Sequence, residues 1–402
     1  ALKLANQNFE VFLIEKNDAL GGNLRHIYRT LDGTDIQAML KEHIEKITSH
    51  PLIHVITGAE IKAHSGFKGN FKTDIAVESG KYNIKIEHGI VVIATGGTEF
   101  KPYGRYLYGE DERVLTQSEL EGCIMENRLS RFERCVMIQC VGSRDDNRPY
   151  CSRVCCSSAI KNAILLKERH PDGDVVILYR DIRTYGFLER YYLYARRLGV
   201  RFIRYDIKDP PVLETRDNSL YMVCHDPSLM ENVTFRTDIV ALSSAVIPEE
   251  NQDLAMLLKV PRTSQGFFLE AHMKLKPVDF ASDGIFLCGL AHSPKNIQES
   301  ITQAEAAVAR AVTILSKDKM AVGGVVAHVD GEKCAACLTC VRVCPYSVPF
   351  INKKGEAEID ISKCKGCGSC AAECPAKAID LLHYRDVQLG EKVKALCAKA
   401  ET

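Results

Sequence analysis

The stretch that decides the fold of the C-terminal part is Cys-Ala-Ala-Cys-Leu-Thr-Cys-Val-Arg-Val-Cys-Pro at residues 334–345. A second stretch, Cys-Lys-Gly-Cys-Gly-Ser-Cys-Ala-Ala-Glu-Cys-Pro at residues 364–375, repeats the same cysteine spacing 30 residues later. Clustered cysteines favour metal or redox chemistry in a chain that is large enough to need no disulfide scaffold. We therefore expect a compact cysteine-rich module over residues 325–382, followed by a tail at residues 383–402.

The repeated spacing resembles that of the bacterial two-cluster ferredoxins, in which the fourth cysteine of each motif ligates the cluster of the other motif. The resemblance implies an α+β module with two [4Fe–4S] clusters. Structural zinc is the alternative, but it needs only four cysteines per site and no duplicated ending of cysteine and proline. The two expected ligand sets are Cys334, Cys337, Cys340 and Cys374, and Cys364, Cys367, Cys370 and Cys344.

The composition excludes several classes of function. Basic and acidic residues both number 52 among 402, so the formal net charge is zero, which argues against nucleic acid or an anionic membrane surface as the main partner. A hydrophobic share of 46% is ordinary for a globular chain of two or three domains. No apolar run approaches the roughly 20 residues of a membrane-spanning helix, and no signal peptide opens the chain. We expect a cytoplasmic protein.

The first part of the chain alternates strands and helices in the way that is typical of a doubly wound sheet. Ala1–Gln7 has the pattern of a helix end, and the apolar strand that begins at Phe9 closes with Glu15. In a nucleotide-binding βαβ unit, such an acid binds the ribose and follows a glycine-rich loop by about 20 residues. That loop would precede Ala1, so we expect the first strand and its phosphate-binding loop to be missing.

The pattern continues with a Gly21-Gly22-Asn23 turn, a helix over residues 36–48 and a meander of antiparallel strands. A buried strand over residues 89–97 ends in a Thr95-Gly96 turn. A second strand–helix–strand pattern follows, with its helix near residues 155–169 and its second strand near 174–179. The chain then returns with a strand at residues 283–289, a long helix over 297–315 and a linker at 316–324.

A third cysteine set (Cys140, Cys151, Cys155 and Cys156) lies where the second nucleotide-binding unit would carry its glycine fingerprint, between a strand and a helix. Only Gly142 remains of that fingerprint, and the spacing matches no zinc ribbon. A third, non-standard [4Fe–4S] cluster explains four thiols here better than a lost nucleotide pocket does. Buried free cysteines and a vicinal Cys155–Cys156 redox pair are the alternatives. The helix N-terminus would favour thiolates in either functional case.

Glu15, Gly21-Gly22, Thr95-Gly96 and Gly289, in this order, resemble the flavoproteins with two dinucleotide-binding domains that are related to glutathione reductase. That resemblance implies an α/β fold and FAD. One position departs from the pattern, since Leu290 stands where those flavoproteins usually have aspartate. The expected FAD contacts are Glu15, Lys16, Gly21, Gly22, Asn23, Thr95, Gly96, Gly289, Asn296, Ile297 and Gln298.

Residues 140–145, 150–156, 293–300 and 383–386 sharpen the match, because together they closely resemble HdrA, the flavin-bearing subunit of heterodisulfide reductase. The resemblance implies electron transfer through FAD and iron–sulfur clusters, with electrons passed or bifurcated between a hydride-derived donor, ferredoxin and a disulfide-type acceptor. It also implies a complex, as a dimer, with further subunits, with ferredoxin and with a hydrogenase- or dehydrogenase-linked input subunit. A further ferredoxin-type insert of many members is missing, since residues 23–60 contain no cysteine.

Three other functions stay open at this point. The chain is a non-bifurcating relay of a quinone-interacting or benzoyl-CoA reductase-type complex, an NAD(P)H-dependent disulfide reductase, or a cluster-stabilised scaffold without FAD. The cysteines in the nucleotide loop argue against the disulfide reductase. Lys295 has two interpretations, a cation that tunes the flavin or a solvated helix-cap lysine. Arg144 and Arg153 either tune the third cluster or are surface arginines.

These patterns predict a division of the chain into domains. We expect the first part of an FAD-binding domain at residues 1–122 and a second nucleotide-binding-like domain with the third cluster at residues 123–275. Residues 276–318 return to the FAD-binding domain.

Overall fold

The computed structural model describes residues 1–129, 131–319, 324–346, 348–361 and 363–398. Contacts divide the chain into a first unit, Ala1–Ser316, and a second unit that begins at Lys317. This division falls at the start of the segment 316–324 in which the sequence predicts a linker. Residues 320–323 of that segment lie outside the described residues.

The first unit contains seven α-helices and seventeen strands among its described residues. The helices are α1 (Leu2–Ala5), α2 (Ile36–Ser49), α3 (Gln117–Met125), α4 (Cys155–Arg169), α5 (Glu189–Arg197), α6 (Gln252–Leu258) and α7 (Ile297–Leu315). The strands are β1 (Val11–Ile14), β2 (Ile53–Ile56), β3 (Ala59–Phe67), β4 (Asn70–Val77), β5 (Tyr82–His88), β6 (Val91–Ile93), β7 (Gly97–Glu99), β8 (Val114–Thr116), β9 (Arg134–Val141), β10 (Asp174–Tyr179), β11 (Arg201–Arg204), β12 (Val212–Arg216), β13 (Ser219–Asp226), β14 (Glu231–Thr237), β15 (Ile239–Ser244), β16 (Val246–Pro248) and β17 (Ile285–Leu287).

The largest sheet is parallel and has the strand order β11-β10-β9-β15-β8. Its central strands are apolar on both faces, as expected where helices or other elements cover both sides of a parallel sheet. Met137 packs with α3 and α4 on one face, while Val136 and Ile138 pack with the β13 strand on the other. The edge strand β8 starts at Val114, so this sheet begins before the boundary that the sequence suggests at residue 123.

Outside the largest sheet, the parallel strands of the first unit form two separate pairs, β1 with β2 and β6 with β17. The antiparallel meander β3-β4-β5 lies between them in sequence, as predicted. A second antiparallel meander, β12-β13-β14, is not among the predicted elements. The cores of this part are formed around Phe268, Phe280 and Phe286, which are almost completely buried.

Helix caps explain why several helices start where the sequence predicts. The Asp35 side chain accepts a hydrogen bond of 3.0 Å from the Ala38 amide at the start of α2. Helix α7 starts with a capping box, in which Asn296 and Glu299 bond each other's backbone amides at 2.8 and 3.0 Å. Such reciprocal bonds satisfy amides that have no partner within the helix.

The second unit is built as two similar halves. Each half contributes short antiparallel strands and one short helix that carries the third cysteine of its motif. A last helix lies in the tail, where the sequence predicts no element. The elements are β18 (Ala327–Val329), α8 (Thr339–Val343), β19 (Pro349–Ile351), β20 (Ala357–Ile359), α9 (Ser369–Ala372), β21 (Ile379–Leu381) and α10 (Asp386–Ala398).

Candidate cofactor sites

Two apolar cavities in the second unit are each lined by four cysteines. The first is lined by three cysteines of the first motif and the last cysteine of the second: Cys334, Cys337, Cys340 and Cys374. The second is lined by Cys364, Cys367, Cys370 and Cys344. The fold therefore groups the eight cysteines in the exchanged sets that the sequence pattern implies.

Backbone amides donate hydrogen bonds to the cysteine sulfurs, and equivalent bonds occur in both halves of the second unit. The Ala357 amide donates to Cys334 Sγ at 3.3 Å, and the Ala327 amide donates to Cys364 Sγ at 3.4 Å. Both the donors and the acceptors of this pair of bonds are 30 residues apart. The fourth cysteines repeat the arrangement, since Cys344 and Cys374 accept from the amides four residues later at 3.5 and 3.3 Å. Such bonds stabilise thiolates and contribute to the potential of a cluster.

This arrangement fits iron–sulfur clusters. Within the part of the chain that the structure describes, no three His, Cys, Asp or Glu side chains have the arrangement of ligands to a single metal ion. A [4Fe–4S] cluster instead takes one thiolate at each of four irons, so its ligands surround a cavity. Apolar walls, four sulfurs and amide donors are the environment that such a cluster requires.

The third cysteine set lies in the first unit, at the end of a central strand and the start of a helix. Cys140 is the last residue but one of strand β9, while Cys155 and Cys156 open helix α4 and are buried. Hydrogen bonding from Cys155 lowers the pKa of Cys156, and the charge of Arg183 acts in the same direction. The hydrogen bond with Cys156 and burial raise the pKa of Cys155, so of these two neighbours only Cys156 has its thiolate favoured.

The loop between these cysteines has an unusual backbone. Cys140, Arg144 and Arg153 all have positive φ, at 62°, 58° and 61°, although none is glycine. Strain of this kind costs on the order of 1 kcal/mol per residue and concentrates at functional sites. The loop is fixed to strand β16, because the Val246 amide donates to Ser152 Oγ at 2.9 Å and the Val246 carbonyl accepts from Tyr150 at 3.0 Å.

Two arginines contact this third set. Arg144 Nη1 lies 3.9 Å from Cys140 Sγ, and its Nη2 donates to Asp181 at 2.6 Å. Arg153 donates its backbone amide to Cys151 Sγ at 3.3 Å. Burial raises the pKa of Cys140, and the charge of Arg144 opposes that rise. The Arg144 side chain is therefore bound into the site, whereas the Arg153 side chain is 38% exposed and its guanidinium bonds residues outside the cysteine set.

Two of the segments predicted to contact the flavin, the turn after Gly21 and the segment that follows β6, are joined by a hydrogen bond. Asn23, in the turn that follows Gly21, donates its side-chain amide to the carbonyl of Gly97. Asn251, which no pattern in the sequence marks, donates to Thr95 Oγ1 at 3.0 Å. Gly96 and Gly289 have φ of 83° and 71°, and a Cβ added at either would meet only open space. Both backbones therefore leave room for a ligand to approach.

The acid at the end of β1 already has a local partner. Glu15 accepts from the backbone and the side chain of Asn17, at 2.9 and 3.1 Å. Lys16 beside it is exposed. Either group remains accessible to the sugar of a dinucleotide, because Glu15 is only partly buried.

Lys295 is buried at 8% exposure and is not the solvated cap that one interpretation expects. Its Nζ donates to the Gly289 carbonyl at 2.7 Å and to the Ser293 carbonyl at 2.8 Å. Burial lowers the pKa of Lys295 to about 8, and the charge of Arg153 acts in the same direction. Of its neighbours, Asn296 caps helix α7 and Ile297 is its first residue, while Gln298 is exposed.

A second hydrogen-bond network holds the loop at Gly289. The Gly289 amide donates to Gln303 at 2.9 Å, and Gln303 bonds one ring nitrogen of His292 at 2.8 Å. Glu270 bonds the other nitrogen at 2.8 Å. Sequence reasoning missed Glu270 and Gln303, because nothing in their spacing marks them. The capping box at Asn296 and Glu299 was visible in the sequence as Asn-x-x-Glu before an apolar helix.

Comparison with known proteins agrees with both parts of the fold. Residues 327–375 match the 4Fe-4S dicluster domain model. The first unit has the fold of flavoprotein disulfide reductases. Thioredoxin reductase from T. acidophilum is 15% identical, with a TM-score of 0.53 over 79% of this chain and 94% of that one. The Lactococcus lactis thioredoxin reductase is 14% identical, with a TM-score of 0.53 over 78% and 94%.

Sequence comparison identifies the family within this class. The HdrA iron-sulfur subunit 2 of CoB–CoM heterodisulfide reductase in Methanopyrus kandleri is 32% identical, over 89% of this chain and 68% of the relative. The corresponding HdrA of Methanocaldococcus jannaschii is 32% identical, over 97% and 74%. This chain belongs to the HdrA family of heterodisulfide reductase and is an oxidoreductase subunit.

A third relative shows how the lengths differ. The HdrA of the H2:CoB-CoM heterodisulfide,ferredoxin reductase of Methanothermobacter thermautotrophicus is 30% identical, over 98% of this chain and 74% of the relative. That alignment extends over 488 positions, more than the 402 residues of this chain. The relative therefore has insertions within the aligned region. No helix among the described residues of this chain is both long and apolar enough to cross a bilayer.

Proposed function

We propose that this chain is an FAD- and iron–sulfur-containing electron-transfer subunit of a heterodisulfide reductase-like complex. The observation that carries the proposal is the pair of cavities lined by exchanged sets of four cysteines. Bound clusters would accept and release one electron each, whereas bound FAD would exchange electrons in pairs or singly. The chain's own residues bind and orient these groups and set their electrostatic environment.

Each cofactor has a set of residues that would hold it. The cysteines of the two cavities would ligate two clusters, and the third cysteine set would ligate one more. The open backbone at Gly96 and Gly289 would receive the flavin side of FAD, with Glu15 and Lys16 toward its ribose. Lys295 would place a cation beside the flavin. Its short bonds to two carbonyls hold the ammonium in one position, and a fixed positive charge stabilises an anionic reduced group.

The names of the relatives support a proposal for the partners. Relatives are named as subunits of heterodisulfide and ferredoxin reductases, in one case with H2 and formate as donors. We therefore assign to this chain other subunits of such a complex, ferredoxin, a disulfide-type acceptor and a hydrogenase- or dehydrogenase-linked input subunit. Bifurcation between ferredoxin and the acceptor is the activity to test, in a dimeric cytoplasmic complex.

A different function, NAD(P)H-dependent disulfide reduction, has the likeness to thioredoxin reductase in its favour. Four cysteines stand, however, where the second domain of such enzymes binds the nucleotide phosphates. Residues 1–122 contain no cysteine, so no redox-active cysteine pair lies among them. A non-bifurcating relay differs from the main proposal in its acceptors and not in its cofactors.

Anaerobic quantitation of iron, sulfide and flavin in the protein purified with its partners tests the proposal. About twelve irons and one FAD per chain are expected, since each cluster holds four irons. About eight irons would refute the third cluster, and the absence of flavin would leave a ferredoxin-type relay. A Cys151→Ser variant should lose about four irons, whereas Cys397→Ser, on the exposed surface of α10, should lose none. NADH or NADPH oxidation coupled to disulfide reduction would instead favour the alternative.

A further inference from the structure

The geometry points to Arg153 as a positioning residue that joins the loop of the third cysteine set to the segment Ser293–Glu299 beside the flavin site. We call residues 293–299 the flavin-side segment. This inference rests on the proposed function, because it concerns the relative position of two proposed cofactor sites. It goes further by assigning one residue, in the middle of the cysteine motif, to hold those sites at a fixed separation.

Arg153 bonds both sides at once. Its backbone amide donates to Cys151 Sγ at 3.3 Å, within the cysteine loop. Its guanidinium donates to the Pro294 carbonyl at 3.2 Å and to Glu299 Oε1 at 2.6 Å, within the flavin-side segment. These two partners lie 141 and 146 residues away in sequence, so the two segments are joined by the fold and not by chain connectivity.

Tyr185 closes the bridge from a third element, the loop after strand β10. Its hydroxyl donates to Glu299 Oε1 at 2.8 Å and accepts from Arg153 Nη2 at 2.7 Å. The guanidinium also lies over the tyrosine ring, 5.5 Å from its centre. Three side chains thus bond one another in a closed triangle, in which hydrogen bonds to charged groups are the strong kind.

Glu299 transmits the bridge to helix α7. Its Oε2 atom accepts a hydrogen bond from the Asn296 amide in the capping box, while its Oε1 atom accepts from the Arg153 guanidinium and the Tyr185 hydroxyl. Lys295 lies between these capping residues and Gly289, to whose carbonyl it donates at 2.7 Å. A displacement of the cysteine loop is therefore passed through one guanidinium to the helix cap that follows Lys295.

Neighbouring arginines differ from Arg153 in this respect. Arg144 bonds Asp181, and Arg183 lies 3.7 Å from the same carboxylate. Both place positive charge near the third cysteine set, but their ionic partner lies in the loop after β10 and not in the flavin-side segment. Arg183→Gln is consequently a matched control, since it removes the same charge from the site and leaves the bridge in place.

The test compares Arg153→Gln, Tyr185→Phe and Arg183→Gln in the full chain purified anaerobically with its partners. Hydrogen exchange of the amides in the flavin-side segment should accelerate roughly tenfold or more in Arg153→Gln, the loss expected for a hydrogen bond to a charged group. Tyr185→Phe should accelerate it less, and Arg183→Gln should leave it unchanged. The flavin absorption spectrum should change in Arg153→Gln and not in Arg183→Gln.

Equal exchange rates in Arg153→Gln and Arg183→Gln would overturn the inference. If Arg153→Gln does not fold, the decision falls to Tyr185→Phe, which keeps the ring and all cysteines, and unchanged exchange there would also overturn it. Iron and flavin contents of the same samples separate this result from the proposed function. About eight irons in the unsubstituted protein would refute the third cluster, whereas the exchange rates test the bridge with or without it.

Discussion

Replacing Glu121 with alanine should destabilise the first unit strongly, because Glu121 forms a buried ion pair with Lys161. The two side chains are 4% and 8% exposed, and the carboxylate and ammonium are 2.5 Å apart. Glu121 also accepts from the backbone amides of Tyr28 and Arg29, each at 3.0 Å, and Lys161 donates to the Arg29 carbonyl at 2.9 Å. The pair therefore joins helices α3 and α4 to the loop that follows the Gly21-Gly22 turn.

The magnitude follows from this burial. Glu121→Ala leaves the Lys161 ammonium buried with one carbonyl as its remaining partner, and removing one member of such a pair costs about 3–5 kcal/mol. A domain of this size loses about 2 °C of melting temperature per kcal/mol. We therefore expect a decrease of about 6–10 °C. Burial already lowers the pKa of Lys161, so part of the cost is relieved where the lysine loses its proton.

Differential scanning calorimetry of the anaerobic holoprotein, at one fixed scan rate, measures this decrease. Glu42→Ala is the matched control, since Glu42 forms an exposed pair with Lys46 and such pairs contribute little. The double variant Glu121→Ala with Lys161→Met should recover much of the loss, because it removes the uncompensated charge. The reasoning is refuted if Glu121→Ala melts no lower than Glu42→Ala, or if the double variant is no more stable than the single one.

Three further outcomes follow from other sites. Cys374→Ser and Cys344→Ser should each remove one cluster signal of the second unit. Cys374→Ser should affect the same Mössbauer or EPR signal as a substitution of Cys334, Cys337 or Cys340. If Cys374→Ser instead affects the signal of the second motif, the exchanged sets are contradicted. The pKa of His64 is lowered to about 4 by burial and by the neighbouring His88. Below about pH 6.5 the unfolded chain therefore binds more protons than the folded chain, and the free energy of unfolding should fall as the pH is lowered from about 6.5 to 4. His64→Gln should flatten this pH dependence when it is measured by urea unfolding. The pKa of Lys295 is lowered to about 8, so its contribution to stability should rise with pH from about 8 to 10.5, and a Lys295→Met variant with the same pH profile as the parent protein would count against this burial.

Local signals in the sequence were sufficient for the elements that begin with caps or consist of unbroken apolar runs. Helices α4 and α7 and strand β10 have the predicted bounds. A capping box marks the start of α7, and an unbroken apolar run marks the extent of β10. The cysteine sets of the second unit were predicted from the resemblance of the repeated spacing to two-cluster ferredoxins, in which the fourth cysteines are exchanged. The second meander was missed because its strands are partly polar and its Asp217-Asn218 turn carries no glycine.

What the sequence did not predict depends on contacts between distant segments. Glu121 and Lys161 are 40 residues apart, and both look like ordinary surface residues of their helices until the loop at Tyr28 covers them. The role of Arg153 is similar, because its partners Pro294 and Glu299 lie in a segment that returns to the site only after the whole second sheet. The residue pattern within one segment does not indicate which distant segment will contact it.

The exchanged cysteine sets have a consequence for the order in which the second unit can be built during synthesis. The first set opens at Cys334 but is completed only by Cys374, while the other is completed at Cys370. Neither half of the repeat can close around a cluster by itself, although each contains four cysteines. A ribosome that has reached Cys367 has therefore produced six thiols of the two motifs and no finished site, and it completes both sites between Cys370 and Cys374. For the proposed clusters, neither site has its full set of thiols before that point, so we expect the two sites to be loaded in one late event instead of two successive ones.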